Sequence, residues 1–272
     1  MGKRVTRLLT VLRLSRYSLA LICIAALVTL GKSIVSTNYV AYLKVCGLSH
    51  TQIGSLLGVY FLALGLLDFP TGGLADRYGR KRVYFLGVTL YGAGLIVYGS
   101  SCSYPLFLSS EIILALAAAL MSGTLSAWYF DNLKEANRVD EAKVCLGLSV
   151  SVSRVTRFIS AFIAFTLISA SISLTFIAGG IIMLIVSLLV VLLMNENYGA
   201  YSTQSFSSIL RNAVETIRSN VSLASLFAGN MCLMFTQMLF LYSWQILVIS
   251  YFQPPREARK AREVRERGAL HT

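Results

Sequence analysis

Charged side chains stand inside otherwise apolar stretches of this chain, and they are the first candidates for chemistry. Glu111 is one of them, and Arg154 and Arg157 follow each other by about one helical turn, which places both on one face of a helix. If these stretches cross a membrane, each buried charge costs roughly 2.5–3.5 kcal/mol and needs a partner or a function. We predict that the two arginines bind an anionic substrate or pair with Glu111. A purely structural Arg–Glu pair is the alternative.

A further group of polar residues lies deep in the first apolar stretch. Lys32 is followed within six residues by small polar side chains that end at Asn38. This cluster predicts a helix face toward a water-filled cavity, and it adds Lys32 and Asn38 to Glu111 and the two arginines as candidates for a substrate or proton pathway. Snorkelling of the lysine to the membrane interface is the alternative.

The composition explains why these charges have apolar surroundings. Hydrophobic residues make up 56% of the 272 residues and charged residues 13%, and the mean hydropathy is +0.69. A soluble domain has about 25% charged residues, so lipid must be the solvent for most of this chain. The net charge of +12 does not indicate nucleic-acid binding, because Lys and Arg fall mostly between apolar runs, where they orient a membrane protein.

Seven apolar segments are long enough to cross a bilayer, which takes about 20 residues. They run over residues 17–42, 51–71, 83–101, 105–130, 144–168, 172–194 and 222–251. The predicted fold class is an all-α membrane protein: a six-helix N-terminal bundle over residues 1–194 and a seventh transmembrane helix over 222–252. Residues 195–221 are predicted as a cytoplasmic linker that contains an amphipathic helix, because apolar side chains recur at helical spacing over 205–219.

Positive charge alternates between the connections. Five Lys or Arg residues precede the first span, four lie in 72–82, three in 131–143 and two in 195–221, whereas the other three connections within the bundle hold one in total. Since basic loops stay on the cytoplasmic side, we predict a multi-pass protein of the plasma membrane with a cytoplasmic N-terminus.

The connection after the second span carries the most specific pattern. Residues 68–82 are DFPTGGLADRYGRKR, and they match the pattern G-x-L-A-D-R-x-G-R-K/R from Gly72 to Lys81. On these residues the chain resembles the major facilitator superfamily of transporters. Residues 122–131 (SGTLSAWYFD) are similar to the drug:proton antiporters of that family, although the arginine common in their fourth span is absent and Glu111 lies in its neighbourhood.

The resemblance implies a major facilitator fold with alternating access and a conformational latch. In the latch, Arg80 pairs with Asp76 and Asp131 and holds the outward-open state. The alternative is that all three are solvated loop charges. The matching residues that complete the predicted latch set are Gly72, Arg77 and Gly79.

The resemblance also implies a function, namely secondary active transport with efflux of small molecules or drugs coupled to protons. A sugar or organic-anion carrier of the same superfamily is the alternative, as is a non-transporting remnant or partner subunit. A full-length relative has twelve spans, with the substrate site at the midplane between two bundles. The expected partners are the lipid bilayer, a small-molecule substrate and protons, together with self-association or a missing C-terminal bundle.

The last twenty residues contradict the orientation set by the loops. Residues 253–272 hold six Lys or Arg residues after a span that should end outside, and the composition changes at Pro254. We expect this basic tail to be out of frame and the product to be truncated relative to its relatives. The other two reading frames of the coding DNA after Tyr251 test this expectation.

The sequence contains no pattern typical of an enzyme. We find no nucleophile–base constellation, metal cluster or phosphate loop, so we predict neither catalysis nor a cofactor. The five cysteines are scattered, and a disulfide between Cys46 and Cys102 is not favoured although both can lie at the outer face. Glycines recur along two spans, at Gly54 and Gly58 and from Gly87 to Gly94, and we expect them to pack against neighbouring helices; a thin helix lining a pore is the alternative.

Overall fold

The computed structural model describes residues 14–198 and, beyond them, residues 208, 211, 215–216, 218–226, 228–229, 232–233, 236, 240, 243–244 and 247; at 69, 70 and 72 it describes the backbone alone. Residues 14–198 form eight helices: α1 (Arg16–Ser36), α2 (Tyr39–Val45), α3 (His50–Tyr78), α4 (Arg80–Ser100), α5 (Tyr104–Met121), α6 (Thr124–Glu135), α7 (Glu141–Ala170) and α8 (Ser173–Leu193).

Six stretches of the described residues are long and apolar enough to cross a membrane. They are Arg16–Val45, His50–Asp68, Arg80–Ser100, Tyr104–Glu135, Glu141–Ala170 and Ser173–Leu193. The all-helical fold with six spans is therefore confirmed. The predicted seventh span at 222–252 and most of the linker at 195–221 are described only at scattered positions, and the basic tail at 253–272 lies outside the described residues, so these remain predictions.

Two of the spans are interrupted, which the sequence analysis did not predict. The first span breaks between α1 and α2 at Thr37 and Asn38, and the fourth breaks between α5 and α6 at Ser122 and Gly123. Gly123 has φ +67°, a left-handed conformation that glycine adopts without the steric cost of a Cβ atom. Interrupted helices leave backbone groups without helical partners, so both breaks are places where polar side chains can collect inside the bundle.

The connection predicted as a loop over 72–82 is mostly helical, and that prediction was wrong. Helix α3 continues to Tyr78, and α4 begins at Arg80, so Gly79 alone separates the two helices. Gly79 has φ +100°, which few other residues adopt. The helix extends this far because Ala75 is buried and packs with Val83 and Leu120 in a small apolar cluster. The motif residues are therefore held by two helix ends.

Helix α8 packs against α1 on one side and against α4 on the other. Two consecutive glycines make this close approach possible. A Cβ atom at Gly179 would come within 2.7 Å of the carbonyl oxygen of Gly31, and one at Gly180 equally close to that of Gly92. Small residues at both contacts let the membrane helices touch along their backbones.

The glycines singled out in the sequence behave in two ways. Gly87 and Gly94 of α4 lie against α5, and Gly92 lies against α8, so the packing prediction is confirmed for that group. Gly54 and Gly58 of α3 have no described atom within 4 Å of the position that a Cβ would take, so packing within this bundle does not explain them.

Helices α3 and α7 are the least covered elements of the bundle. Only 11% of the most apolar window of each is buried, against 39–50% in the other four spans. Leu62 and Leu66 on α3, and Phe158, Phe162 and Phe165 on α7, expose more than half of their surface. These two helices present apolar surface that the described residues do not cover.

A disulfide links Cys46, at the end of α2, to Cys102, in the turn after α4, with 5.1 Å between their Cα atoms. The expectation against this bond was wrong. The short helix α2 after the break in the first span brings Cys46 next to the α4–α5 turn, and nothing in the cysteine spacing reveals that break. We refer to this end of the bundle as the Cys46 end and to the opposite end, where α3 meets α4, as the Arg80 end.

Candidate functional site

Three charged side chains meet at the Arg80 end. The Arg80 guanidinium donates from Nη2 to Oδ1 of Asp76 at 3.1 Å and from Nη1 to Oδ2 of Asp131. Its Nε also points at Asp76, at 3.3 Å. Asp76 is in the last turn of α3, Arg80 opens α4 and Asp131 lies on α6, so the reversal at Gly79 brings together residues from three helices.

The environment makes this charge cluster strong. The Arg80 side chain is only 8% exposed, whereas those of Asp76 and Asp131 are 20% and 31% exposed. A buried guanidinium with two carboxylates has its charge compensated, and the carboxylates keep some contact with the solvent at their outer side. Removal of one partner from such a buried pair is strongly unfavourable, because the remaining charge has no compensation.

A short segment after α8 lies against the same cluster. We call residues Met194–Tyr198 the strap. The backbone N–H of Arg80 donates to the carbonyl of Asn197 at 3.0 Å, and the indole Nε1 of Trp128 donates to the carbonyl of Asn195 at 2.8 Å. The side-chain amide of Asn197 donates in turn to the carbonyl of Trp128 at 3.1 Å. The strap therefore ties the start of α4 to α6, three residues before Asp131.

Glu196 of the strap adds a third carboxylate. Its Oε1 accepts a hydrogen bond from the backbone N–H of Lys81 at 3.0 Å, and its Oε2 lies 3.5 Å from Nε of Arg82. A negative charge at this place also interacts favourably with the positive end of the α4 dipole. The carboxylate lies so close to Gly79 that a Cβ atom there would collide with it. The sequence analysis missed Glu196; an acidic residue directly after an apolar span was the available signal.

The remaining residues of the predicted latch lie around this cluster. Gly79 forms the turn between α3 and α4, as described. Arg77 is placed over the ring of Tyr78, 5.3 Å from its centroid, and has no ion pair among the described residues. Gly72 is part of α3, and its surroundings lie outside what the structure describes. The geometry therefore concentrates the charge interactions on Arg80, Asp76 and Asp131.

A second polar site lies toward the Cys46 end. Glu111 on α5 is only 3% exposed, and its Oε1 accepts a hydrogen bond from the hydroxyl of Tyr39, the first residue of α2. The Tyr39 hydroxyl accepts in turn from the hydroxyl of Tyr98 on α4 at 2.8 Å. The result is a buried carboxylate at the end of a short relay of hydroxyl groups. The sequence analysis identified Glu111 but neither tyrosine.

The structure does not bring the predicted pathway residues together. Arg154 and Arg157 are exposed on α7, and neither has an ion pair with Glu111 in the part of the chain that the structure describes. The predicted Arg–Glu pair is therefore wrong, because hydroxyl groups and not guanidinium groups contact Glu111. That the two arginines bind an anionic substrate remains a prediction.

Lys32 and Asn38 have partners of their own. The Lys32 ammonium lies 4.5 Å from the centroid of the Tyr91 ring on α4, a cation–π contact. The amide of Asn38 is buried and is hydrogen-bonded with the hydroxyl of Thr175 on α8 at 2.8 Å. With its nitrogen toward the chain, the amide also donates to the carbonyls of Ile34 and Val35, at 3.0 and 2.9 Å. Asn38 thus adds side-chain hydrogen bonds to the carbonyls at the end of α1.

Comparison with known proteins gives the same architecture. A family model described as Major Facilitator Superfamily matches residues 21–253. The solved structure of the nucleoside transporter NupG is similar with a TM-score of 0.66 at 18% identity, over 88% of this chain and 60% of that one. At this identity the likeness concerns the fold alone.

Two curated relatives are transporters with different printed substrates. The Probable L-galactonate transporter of Escherichia coli (strain K12) is 28% identical over 131 residues, which is 46% of this chain and 28% of that protein. Multidrug resistance protein 2 of Bacillus subtilis (strain 168) is 24% identical over 111 residues, 40% of this chain and 28% of that protein. The matched stretches cover between 12% and 31% of the length of the first curated relatives.

Proposed function

The chain belongs to the Major Facilitator Superfamily, and we propose that it acts in secondary active transport by alternating access, with efflux of small molecules or drugs coupled to protons. The family is one of transporters, and six spanning helices make this a multi-pass membrane protein. We place it in the plasma membrane with the N-terminus in the cytoplasm, following the distribution of Lys and Arg. On this orientation the Arg80 end faces the cytoplasm.

The observation that carries the proposal is the charge cluster at the Arg80 end. Alternating access needs an element with two discrete arrangements. We propose that Arg80 with Asp76 and Asp131 is such an element, because its two ion pairs join side chains from three helices. We propose that the cluster is a latch that is closed in the outward-open state and opens when the cytoplasmic side opens.

A second bundle would complete the transport path. The exposed apolar faces of α3 and α7 need a cover, and a matching bundle supplies a second wall for a cavity at the midplane. We propose that this wall comes from a C-terminal bundle or from a second copy of the chain. Whether the latch is closed or open would then depend on the contact between the two bundles.

A carrier for organic anions is the second candidate. It is favoured by Arg154 and Arg157, two exposed guanidinium groups about a turn apart on α7 that have no ion pair in the described part of the chain. Guanidinium groups bind carboxylates through paired hydrogen bonds. The L-galactonate transporter named above is a relative whose printed substrate is a sugar acid. A remnant or partner subunit without transport activity is the alternative to both.

Efflux of a fluorescent cationic dye from cells that express the chain tests the first proposal. We expect efflux above that of cells with an empty vector, and a loss of about tenfold in Asp76→Asn, which keeps the shape of the side chain and removes its charge. Asp140→Asn is the matched control, because Asp140 is an exposed acid outside the cluster, and its efflux should equal the wild type. Equal efflux in Asp76→Asn and wild type would remove the latch from the mechanism.

The same cells separate the remaining alternatives. Uptake of a labelled sugar acid that falls in Arg154→Gln and Arg157→Gln, without dye efflux in the wild type, would favour the anion carrier. Absence of both activities, with the protein present in the membrane fraction, would favour the remnant or partner subunit.

A further inference from the structure

The carboxyl group of Glu111 occupies a site that the latch does not use. Its wall consists of Tyr39 from α2 and Tyr98 from α4, whose hydroxyl groups are hydrogen-bonded to each other and lie against the carboxylate. Tyr98 is fully buried and Tyr39 is 8% exposed. The ring of Phe176 stacks on that of Tyr98, at 5.1 Å between centroids, and the tilted ring of Phe107 contacts it at 4.7 Å, so apolar rings surround Tyr98. The site is polar only where the hydroxyls meet the carboxyl.

In the part of the chain that the structure describes, no cation compensates the charge that Glu111 would have as a carboxylate. Among the described residues no ion pair includes it. The nearest lysines along the first span have other contacts, since Lys32 lies over Tyr91 and Lys44 donates to the carbonyl of Leu48 at 3.2 Å. Tyr60 of α3 is the remaining titratable group close enough to act on Glu111 electrostatically. Among the described residues, the titratable groups that interact with the Glu111 carboxyl are therefore the phenols of Tyr39, Tyr98 and Tyr60.

A carboxyl group in such surroundings has two ways to exist. As a carboxylate it has no cation and depends on hydrogen bonds from hydroxyl groups in a medium of low dielectric constant. As a carboxylic acid it is neutral, and its own O–H can donate while its other oxygen still accepts from Tyr39. The relay serves both states, because each phenol hydroxyl can rotate to donate or to accept. The geometry thus accommodates a proton that comes and goes.

The break in the first span lies beside the relay. Tyr39 is the first residue after the break in the first span, and the two residues before Asn38, Ser36 and Thr37, are exposed and polar. Glu111 itself is about two turns from the start of α5, or roughly 10 Å at 1.5 Å per residue. A proton from the aqueous phase can therefore approach through the break without crossing the apolar core.

We propose that Glu111, with Tyr39 and Tyr98, is a proton-binding site that opens through the break between α1 and α2. One proton from water binds to a carboxylate oxygen of Glu111, and the hydroxyls of Tyr39 and Tyr98 reorient; the same proton later leaves by the reverse step, and no other bond changes. This inference deepens the proposed function, because it names the group that would carry the coupled proton, and it rests on that function only for its role in transport.

Infrared difference spectroscopy tests the site directly. The full chain is reconstituted in lipid vesicles, and spectra at acidic and mildly alkaline pH are subtracted, in H₂O and in D₂O. We expect a carboxylic acid C=O band at acidic pH that shifts to lower frequency in D₂O and is lost in Glu111→Gln. In Tyr39→Phe the band should remain but move to higher frequency, because the C=O loses its hydrogen-bond donor. Tyr98→Phe should also move the band, because the hydroxyl of Tyr98 interacts with Glu111 as well as with Tyr39.

The controls keep the outcome clear. Glu135→Gln removes an exposed carboxyl at the end of α6 and should leave the band unchanged. If Glu111→Gln does not fold, Glu111→Asp and Tyr39→Phe give the frequency shift instead. A band that persists in folded Glu111→Gln, or a spectrum in which neither tyrosine substitution moves the band, would overturn the proposal. The infrared measurement does not require transport. A band that depends on Glu111, in a chain that shows no efflux, would therefore support the proton-binding site and contradict only the proposed transport function.

Discussion

The two ends of the bundle are held together by different chemistry. At the Arg80 end three helices and the strap meet through ion pairs and hydrogen bonds, and both carboxylates of the cluster keep part of their surface in contact with solvent. At the Cys46 end a covalent bond joins α2 to the α4–α5 turn, and the polar contact behind it is a dry carboxyl with two phenols.

This difference indicates which end can change its arrangement. Ion pairs whose carboxylates keep contact with the solvent can break and form again when water enters, whereas a disulfide is covalent and persists. We therefore propose that the Arg80 end opens and closes and that the Cys46 end keeps its shape while a proton binds within it. Substitutions at one end at a time test this difference, and the effect of each is measured as a change in the free energy of unfolding of the purified protein in detergent or lipid.

Arg80→Ala should have the largest effect. It leaves Asp76 and Asp131 side by side without a cation, and removal of one partner of a buried ion pair costs about 3 kcal/mol or more. Arg77→Ala is the matched control, because Arg77 is outside the cluster, and should cost no more than about 0.5 kcal/mol. Asp131→Asn in the Arg80→Ala background should recover part of the loss. Equal stability of the two arginine variants would mean that the cluster does not hold this end.

Gly79→Ala should cost about 2 kcal/mol, because a residue with a Cβ is strained at φ +100° and the added atom would collide with the Glu196 carboxylate. The control is Gly147→Ala in α7, where a Cβ meets nothing within 4 Å of the described residues. Alanine favours the helix there, so this variant should be as stable as the wild type or more stable by about 0.5–1 kcal/mol. A loss in both variants alike would indicate a general effect of the substitution.

Loss of the disulfide should have a smaller effect. Cys46→Ser removes a link that closes a loop of 56 residues, and disulfides contribute typically 2–4 kcal/mol. We expect about 1–2 kcal/mol, because the bilayer already restricts the unfolded helices. Cys23→Ser, at an exposed free thiol, is the control and should not matter. A thiol-labelling assay that finds Cys102 reactive in wild type under oxidising conditions would contradict the bond itself.

The sequence predicts the Arg80 end better than the Cys46 end, and the reason is physical. The motif residues are adjacent in sequence on either side of Gly79, so their mutual position depends on one turn. Asp131 could be predicted as the third member of the cluster because residues 122–131 resemble the corresponding stretch of the drug:proton antiporters. The relay at Glu111 joins three separate spans, and its formation depends on the depth and rotation of each helix, which apolar composition does not determine. The break at Thr37 and Asn38, without glycine or proline, gives no local signal either.

The strap shows the same limit at the better-predicted end. Residues 195–197 have the composition of a polar linker, and nothing in them indicates that the chain turns back over α4 and α6. Their role follows only once α8 is placed between α1 and α4, because its C-terminal end then lies beside Gly79. Contacts that depend on the arrangement of whole helices thus remain hidden even when the motif they support is evident.

Glu196→Gln should have the smallest effect and sharpens the comparison most. The glutamine keeps a side-chain oxygen for the Lys81 N–H but removes the charge that faces Arg82 and the α4 dipole. Arg82 is 73% exposed, so its pairing contributes little, and the dipole interaction is worth about 0.3–1 kcal/mol at low salt. The loss should disappear at high salt because the charge is screened. A loss that salt does not change would mean that Glu196 acts through packing against Gly79, and that the strap belongs to the fixed part of the molecule.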